Sequence, residues 1–397
     1  MSIEDPHQPL RPMRLLLVAD SLNVGGAEQH VVSLASALAQ KGYRVTLACT
    51  VGGALAPLAE QAGVLVRPLL RHLVKRRLSP TFAWKLTRYI RQGNFDLVHA
   101  HMYASAIASA SATLGTGIPL VITEHSQASW RSRYARRCSQ WSYQRATHIV
   151  AVSKEIRRRL IEQDGVAHEH ISVIMNALSP MPEVHMDEQP DLPIGLGNGP
   201  LVGVAARLQA EKGVAYFLEA AACILQYVPH AHFLVIGDGP LHQELQAYAD
   251  LLGVQEHVHF LGFRLDARAL ISLLDVLVVP SLSEGTPLVT LEAMTAGVPI
   301  VASAVGGIPE QIRHRCEGLL VPAKDAMALA DAVLQLLQNP LWAQKLGETG
   351  RQRTLSHFSF ARMVQETEAI YHAALGWQTR SDIEQRELDN PLAERGR

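Results

Sequence analysis

Several things are scarce in this chain, and each scarcity narrows what it can be. Only four cysteines occur in 397 residues, at positions 49, 138, 223 and 316, with no Cys-x-x-Cys spacing. They need not pair, and a reducing compartment is the simpler expectation. No apolar run reaches the roughly 20 residues that a membrane-spanning helix needs. The first residues, MSIEDPHQPLRPM, are polar and acidic, unlike a secretory signal. A soluble, cytoplasmic protein is therefore expected. No stretch of 20–50 residues repeats. No Asp-x-Asp pair occurs, so a common carboxylate clamp for a divalent ion is missing.

Apolar residues make up 48% of the chain and charged residues 18%. Sizeable cores are possible, and the length suits two domains. The formal net charge of −1 hides an asymmetry. Residues 1–185 hold 21 Lys and Arg against 12 Asp and Glu, and the remainder holds 15 against 25. Such halves are expected to meet different partners. The basic residues also cluster: Arg67, Arg71, Lys75, Arg76 and Arg77 among leucines, then Arg131, Arg133, Arg136 and Arg137, then Arg157, Arg158 and Arg159. A charge run is often only a solvated face. The first cluster is amphipathic enough for the alternative, reversible binding to an anionic membrane surface, the inner face of the cytoplasmic membrane.

Along the chain, apolar runs of strand length alternate with helix-period segments, the signature of parallel α/β layers. RLLLVA, from residue 14, reads as a buried strand. Val31, Leu34, Ala35 and Leu38 follow at helical spacing. Gly25 and Gly26 stand between the two, where backbone can approach a phosphate closely. The third glycine of a dinucleotide fingerprint is missing. DLVHAH and PLVITEHS are strands that place His99, His101, Glu124 and His125 near their C-terminal ends, the ligand-binding edge of such sheets. His-x-His could hold a metal, but no third ligand of suitable spacing is visible, so no metal is expected. Residues 181–199, rich in proline and glycine, read as a linker. A second alternating series begins at residue 200. Its first strand leads to Arg207 and Lys212, two cations placed to neutralise a diphosphate, although loop cations are often merely solvated.

The stretch PSLSEGTPLVTLEAMTAGVPIVASAVGGIPEQ, from residue 280, organises the rest. An apolar strand precedes it. Thr286 stands at an N-cap position and Pro287 at the first helical position. Gly297 suits the helix C-cap, and Pro299 prevents continuation. A strand, a loop and a helix N-terminus form a ready site for phosphate. Glu284 in the loop and Glu292 in the helix flank it. Carboxylates suit such a site only by reaching past phosphate to hydroxyls. Phosphate in the middle with hydroxyls at both ends describes a nucleotide sugar.

This stretch, with E-G-x-P-L-x-x-x-E-A-M, A-G-V-P-I-V-A-S and V-G-G-I-P-E, resembles the E-x7-E signature of retaining glycosyltransferases of group 1. The resemblance runs from about residue 14 to about 375. It implies the GT-B fold: two facing Rossmann-like, doubly wound domains with a cleft between them. It places the acceptor domain at residues 14–180 and the donor domain at 200–356. A helix at 357–376 crosses back to the first domain, between a flexible start (1–13) and a polar tail (377–397). It implies roles as well. Gly25 and Gly26, from G-G-A-E, would face the donor phosphates. Arg207 and Lys212, from A-R-L-x-x-E-K-G, would bind the diphosphate. Phe263, Thr286 and Leu288 would line the nucleotide, Glu292 would accept from the ribose and Glu284 from the sugar. His125, from T-E-H-S, would lie by the forming bond, and His101 nearer the acceptor wall. The family's N-G-V-D turn is replaced by Asn176-Ala177-Leu178-Ser179. The implied activity is metal-independent transfer, with retention, from a UDP- or GDP-linked sugar to a glycan or lipid-linked acceptor, in cell-surface polysaccharide or glycolipid synthesis. No cofactor and no nucleic acid enter it. A nucleotide-sugar epimerase or hydrolase of the same fold would instead form product from donor alone. A catalytically silent binding protein would hold donor without turnover.

Overall fold

A computed structural model describes residues 11–71, 78–127, 131–180 and 199–376. The linker up to residue 198, the tail from 377, and Lys75, Arg76 and Arg77 lie outside the described residues. The first half runs β1 (Arg14–Ser21), α1 (Gly26–Gln40), β2 (Arg44–Val51), α2 (Ala56–Gln61), β3 (Leu65–Pro68), α3 (Pro80–Gln92), β4 (Leu97–His101), α4 (Tyr103–Ala112), β5 (Leu120–Glu124), α5 (Arg133–Tyr143), β6 (His148–Ala151), α6 (Lys154–Glu162) and β7 (Ile171–Val173). The second half runs β8 (Leu201–Ala205), α7 (Val214–Leu225), β9 (His232–Ile236), α8 (His242–Leu251), β10 (Val258–Gly262), α9 (Ala267–Ser272), β11 (Val276–Val279), α10 (Leu288–Ala296), β12 (Ile300–Ser303), α11 (Ile308–Gln311) and β13 (Gly318–Val321). Three helices close the described residues: α12 (Ala326–Gln338), α13 (Pro340–His357) and α14 (Phe360–Ala374).

Two wholly parallel sheets result, ordered β3-β2-β1-β4-β5-β6-β7 and β10-β9-β8-β11-β12-β13. Their inner strands are apolar almost throughout because helices cover both faces. Leu15 and Leu17 point to one core of the first sheet and Leu16 and Val18 to the other. Val276 and Val278 divide from Leu277 and Val279 in the same way in the second. In each sheet the strand order reverses beside the first strand of its series. The crevice beyond the strands' C-terminal ends therefore lies at β1/β4 in one domain and at β8/β11 in the other.

Local chemistry sets the helix ends. Ser79, Ser153 and Asp325 each accept a hydrogen bond from an amide three residues on. Gly297 takes the left-handed conformation, φ 75°, that ends α10. The expected cap at Thr286 does not form. Pro287 is the N-cap residue of α10, and the Thr286 hydroxyl donates instead to the Val152 carbonyl in the first domain. A contact across the domains has displaced a local cap.

The last helix returns to the first domain. Met363, Val364, Ile370 and Tyr371 of α14 enter the core that contains β1 and α1. Tyr371 is fully buried, and its hydroxyl lies 2.6 Å from His99 Nδ1. The other ring nitrogen of His99 lies 2.7 Å from the Thr123 hydroxyl. His99, half of the His-x-His pair, is thus committed to packing.

Behind β5 lies a buried ionic group. Arg131 Nη2 donates to Glu124 Oε2 at 2.7 Å, and Tyr143 also donates to that oxygen. Arg159 stands 3.5 Å from it and pairs with Asp164 at 2.8 Å. The side chains of Arg131 and Arg159 are 4% and 8% exposed. This corrects the reading of the basic clusters, since Arg131 and Arg159 neutralise an interior carboxylate and face no membrane. Arg67 stands on edge strand β3. Arg133, Arg136, Arg137 and Arg158 remain exposed.

Two predictions follow from this packing. Burial pushes the Glu124 carboxyl up, but Arg131 and Arg159 outweigh it and hold it at about 2, below its ordinary 4.5. A depressed carboxylate contributes stability that is complete above about 4.5 and is lost as pH falls toward 2. Glu124→Gln should lower stability at neutral pH by roughly 3–5 kcal/mol, because it strands the buried Arg131 guanidinium, while Arg159 keeps Asp164. It should also flatten the decline between those pH values. Denaturant titrations at several pH values measure both effects. Tyr371→Phe should lower stability by about 1–3 kcal/mol, the consequence of leaving a buried imidazole nitrogen unpaired. Urea unfolding followed by circular dichroism measures it.

Candidate active site

The C-terminal edges of the two sheets face each other, and the loops at those edges meet backbone to backbone. A Cβ on Gly285 would lie 2.1 Å from the His125 carbonyl oxygen. The Gly307 amide donates to the Gly285 carbonyl at 2.8 Å, and a Cβ on Gly306 would lie 1.9 Å from the Glu284 carbonyl oxygen. Loop 284–285 is therefore sandwiched between the end of β5 and the turn after β12, and only bare backbone fits. Side chains extend the junction. Asn176 Nδ2 donates to the Thr286 carbonyl at 2.8 Å. The Glu310 carboxylate accepts from the Lys154 and Glu155 amides at 2.9 and 3.1 Å, where its charge opposes the positive end of α6.

On the donor side, β8 leads to Arg207, which is exposed, and then to a 3-10 turn, Ala210–Lys212. Lys212 Nζ donates to Glu284 Oε1 at 2.7 Å, and Ser281 donates to the same oxygen at 2.7 Å. Glu284 is only 8% exposed. The two charges that sequence reasoning assigned to different parts of a ligand are therefore in direct contact. Glu292 lies one turn into α10 and accepts from Arg268 Nε at 3.1 Å. Arg268, on short helix α9, carried no motif signal and was missed. Phe263 follows β10 and is half exposed. Leu288 opens α10, nearly buried, and would be 3.9 Å from a Cβ on Gly26. The glycine pair of the first domain thus approaches the helix N-terminus of the second. Gly25 is extended and lies over the Glu28 side chain, which a Cβ would meet at 2.4 Å. Glu28, the acid of G-G-A-E, was also passed over. Burial raises its pKa, Asp20 raises it further, and nearby Arg207 opposes.

On the other wall His125 is half buried, with Nε2 3.1 Å from His101 Nδ1. His101 is completely buried. A third imidazole joins them, His30 from α1, with its ring centroid 4.9 Å from His125 and 5.7 Å from His101. The His-x-His pair itself gains no third partner, since His99 is engaged by Tyr371 and Thr123; His101 instead meets histidines of two other segments, which sequence spacing does not reveal. The only hint was a histidine on the buried stripe of α1. Burial lowers the pKa of all three rings. His125 falls to about 4, because the pull of Glu124 offsets the burial only in part. They are neutral at pH 7, able to exchange hydrogen bonds with a hydroxyl but not to act as acids.

The arrangement offers two cations and a helix N-terminus for phosphate, two paired carboxylates for hydroxyls, and neutral imidazoles opposite. Comparisons with known proteins identify the family. Residues 24–180 match the family described as Glycosyltransferase Family 4, and residues 199–339 that described as Glycosyl transferases group 1. The chain is 24% identical over 359 residues to a UDP-Gal:alpha-D-GlcNAc-diphosphoundecaprenol alpha-1,3-galactosyltransferase of Escherichia coli, covering 84% of this chain and 90% of that protein. It is 27% identical over 399 residues to a glycogen synthase of Mycobacterium tuberculosis, covering 91% and 95%. Among solved structures, Anabaena HepE in complex with UDP-glucose superposes with a TM-score of 0.79 at 23% identity, covering 91% of this chain and all of that one. At that identity the likeness speaks for the fold alone. With both halves matched and two facing parallel sheets, the chain belongs to the group 1 glycosyltransferases and has the GT-B fold.

Proposed function

We propose that this glycosyltransferase moves a hexose from a UDP-linked donor to a glycan or lipid-linked acceptor, with retention of configuration and without a metal ion. The observation that carries the reading is the Lys212–Glu284 contact at the mouth of the β8/β11 crevice. It puts a cation for the diphosphate and a carboxylate for the sugar within one hydrogen bond. Lys212, Arg207 and the first-turn amides of α10 stabilise the charge that develops on the leaving diphosphate. Glu292, oriented by Arg268, accepts from the ribose hydroxyls. Glu284 orients the sugar. Its Oε1 is already engaged by Lys212 and Ser281, which suits positioning rather than nucleophilic attack. Neutral His125 faces the anomeric side. The family resemblance then supports a front-face route, in which a leaving phosphate oxygen takes the proton of the attacking acceptor hydroxyl.

UDP is favoured over GDP because similar proteins are named for, or bound to, UDP-sugars: the E. coli galactosyltransferase and the Anabaena complex. The E. coli enzyme's diphosphoundecaprenol acceptor suggests a lipid-linked acceptor and a place in surface-polysaccharide or glycolipid synthesis.

The direct test incubates the protein with UDP-glucose or UDP-galactose and a polyprenyl-diphosphate-linked sugar, with and without EDTA. Acceptor-dependent UDP release that survives EDTA, giving an α-linked product by NMR, is expected. Arg207→Ala and Lys212→Ala should each lower kcat by roughly 10²–10³-fold. Release without acceptor, or loss of activity in EDTA with recovery in Mg²⁺, would refute the reading.

The two carboxylates should separate in calorimetry with UDP, which lacks the sugar. Glu292→Gln should weaken UDP binding clearly. Glu284→Gln should leave it nearly unchanged while lowering transfer. Equal losses of UDP affinity would mean that the two ends are assigned wrongly.

A further inference from the structure

His30, His101 and His125 come from three separate segments: α1, the end of β4 and the turn after β5. Each offers a ring nitrogen within 4.8 Å of the others. Among the described residues this is the one group of at least three potential metal-ligating side chains that converges in this way. Neighbouring His99 is excluded, since both of its nitrogens are engaged by Tyr371 and Thr123. In tetrahedral zinc coordination, with Zn–N near 2.0–2.1 Å, neighbouring ligand nitrogens stand about 3.3 Å apart. His101 Nδ1 and His125 Nε2 are 3.1 Å apart. Closing a three-nitrogen set then requires His30 to move in from a separation of up to 4.8 Å.

We propose that His30, His101 and His125 form a binding site for a borderline divalent transition ion of the zinc class, with its fourth position open toward the cleft.

The donor set selects the ion. Three imidazoles with no carboxylate suit Zn²⁺, Co²⁺, Ni²⁺ or Cu²⁺ and not Mg²⁺ or Ca²⁺, which require oxygen. The adjacent carboxylate, Glu124, is held by Arg131 and Tyr143 and points away from this role. Neutral imidazole is the ligating form. The ring that donates between His101 and His125 moves its hydrogen to its outer nitrogen, and both inner nitrogens turn their lone pairs to the ion. Half-buried His125 provides the entry path from the cleft. The outer nitrogens, His101 Nε2 and His125 Nδ1, are buried without a hydrogen-bond partner. Metal-bound imidazoles normally have such a brace. The site therefore exchanges its ion readily and differs from a resident cofactor site. It is also compatible with transfer that needs no metal.

The test uses the full-length protein, stripped with EDTA and dialysed. Co²⁺ titration should produce the visible absorption of a four-coordinate, nitrogen-ligated ion at a one-to-one ratio, and Zn²⁺ should bleach it. Mg²⁺ should not. His30→Leu should weaken Zn²⁺ binding, measured by competition with a chromophoric chelator, by at least tenfold. UDP calorimetry on that variant checks that it is folded, and His101→Gln provides a second variant should it fail. A surface trio on the second sheet, His232, His257 and His259, serves as the control. Unchanged affinity in both His30→Leu and His101→Gln, loss of the signal in His259→Leu instead, or no Co²⁺ spectrum in the parent protein would overturn the proposal.

Discussion

The close approach of the His125 carbonyl to Gly285 fixes the relation between the two domains. Each sheet could fold around its own cores, but the candidate site exists only where the edges meet. At that point no side chain separates the backbones. Loop 284–285 packs on the end of β5 from one side and is backed by Gly306 and Gly307 from the other. A single methyl group in this stack would push the first domain's histidines away from the second domain's cations. The polar contacts around it, from Asn176 to Thr286 and from Glu310 to the start of α6, hold the same geometry at longer reach.

Around that junction the charged groups are arranged in pairs. Glu284 has Lys212, Glu292 has Arg268, and Glu124 has Arg131 and Arg159. The first two pairs are partly open to solvent and adjoin the crevice, where a ligand can exchange with one partner. The third is interior. It braces the strand that delivers His125, and its two arginines account for part of the positive excess of the first half. Net charge alone could not separate interior neutralisation from a surface field. The exposed arginines on α5 and α6 are among the charges of that excess that can act outside the molecule.

The fold was largely legible because its signal is local. Continuous apolar strands such as RLLLVA and VLVV, alternating with helix-period segments, leave few architectures other than parallel layers with helices on both sides. The ligand-binding edge followed from the position of motifs at strand ends. Arg207, Lys212, Glu284, Glu292 and His125 stood out by residue type and position, their roles came from the family resemblance, and tertiary packing then brought Lys212 onto Glu284 and His125 against Gly285. The glycines of V-G-G-I-P were visible, but not their reason, which is another domain's backbone.

What the sequence determined by itself was the doubly wound α/β character, the crevice edge and the identity of most polar groups there, because periodicity and turn chemistry act over a few residues. Tertiary structure alone decided which groups share an environment. Thr286 was expected to cap its own helix and instead bonds to Val152, because a partner 134 residues away offered its hydroxyl a buried carbonyl. Arg131 and Arg159 looked like surface charge and became counter-ions, because burial of Glu124 demands them. His30 carried no motif, yet it completes a trio with His101 and His125. Such partnerships depend on distances between segments far apart in the chain, and a linear pattern does not encode those distances.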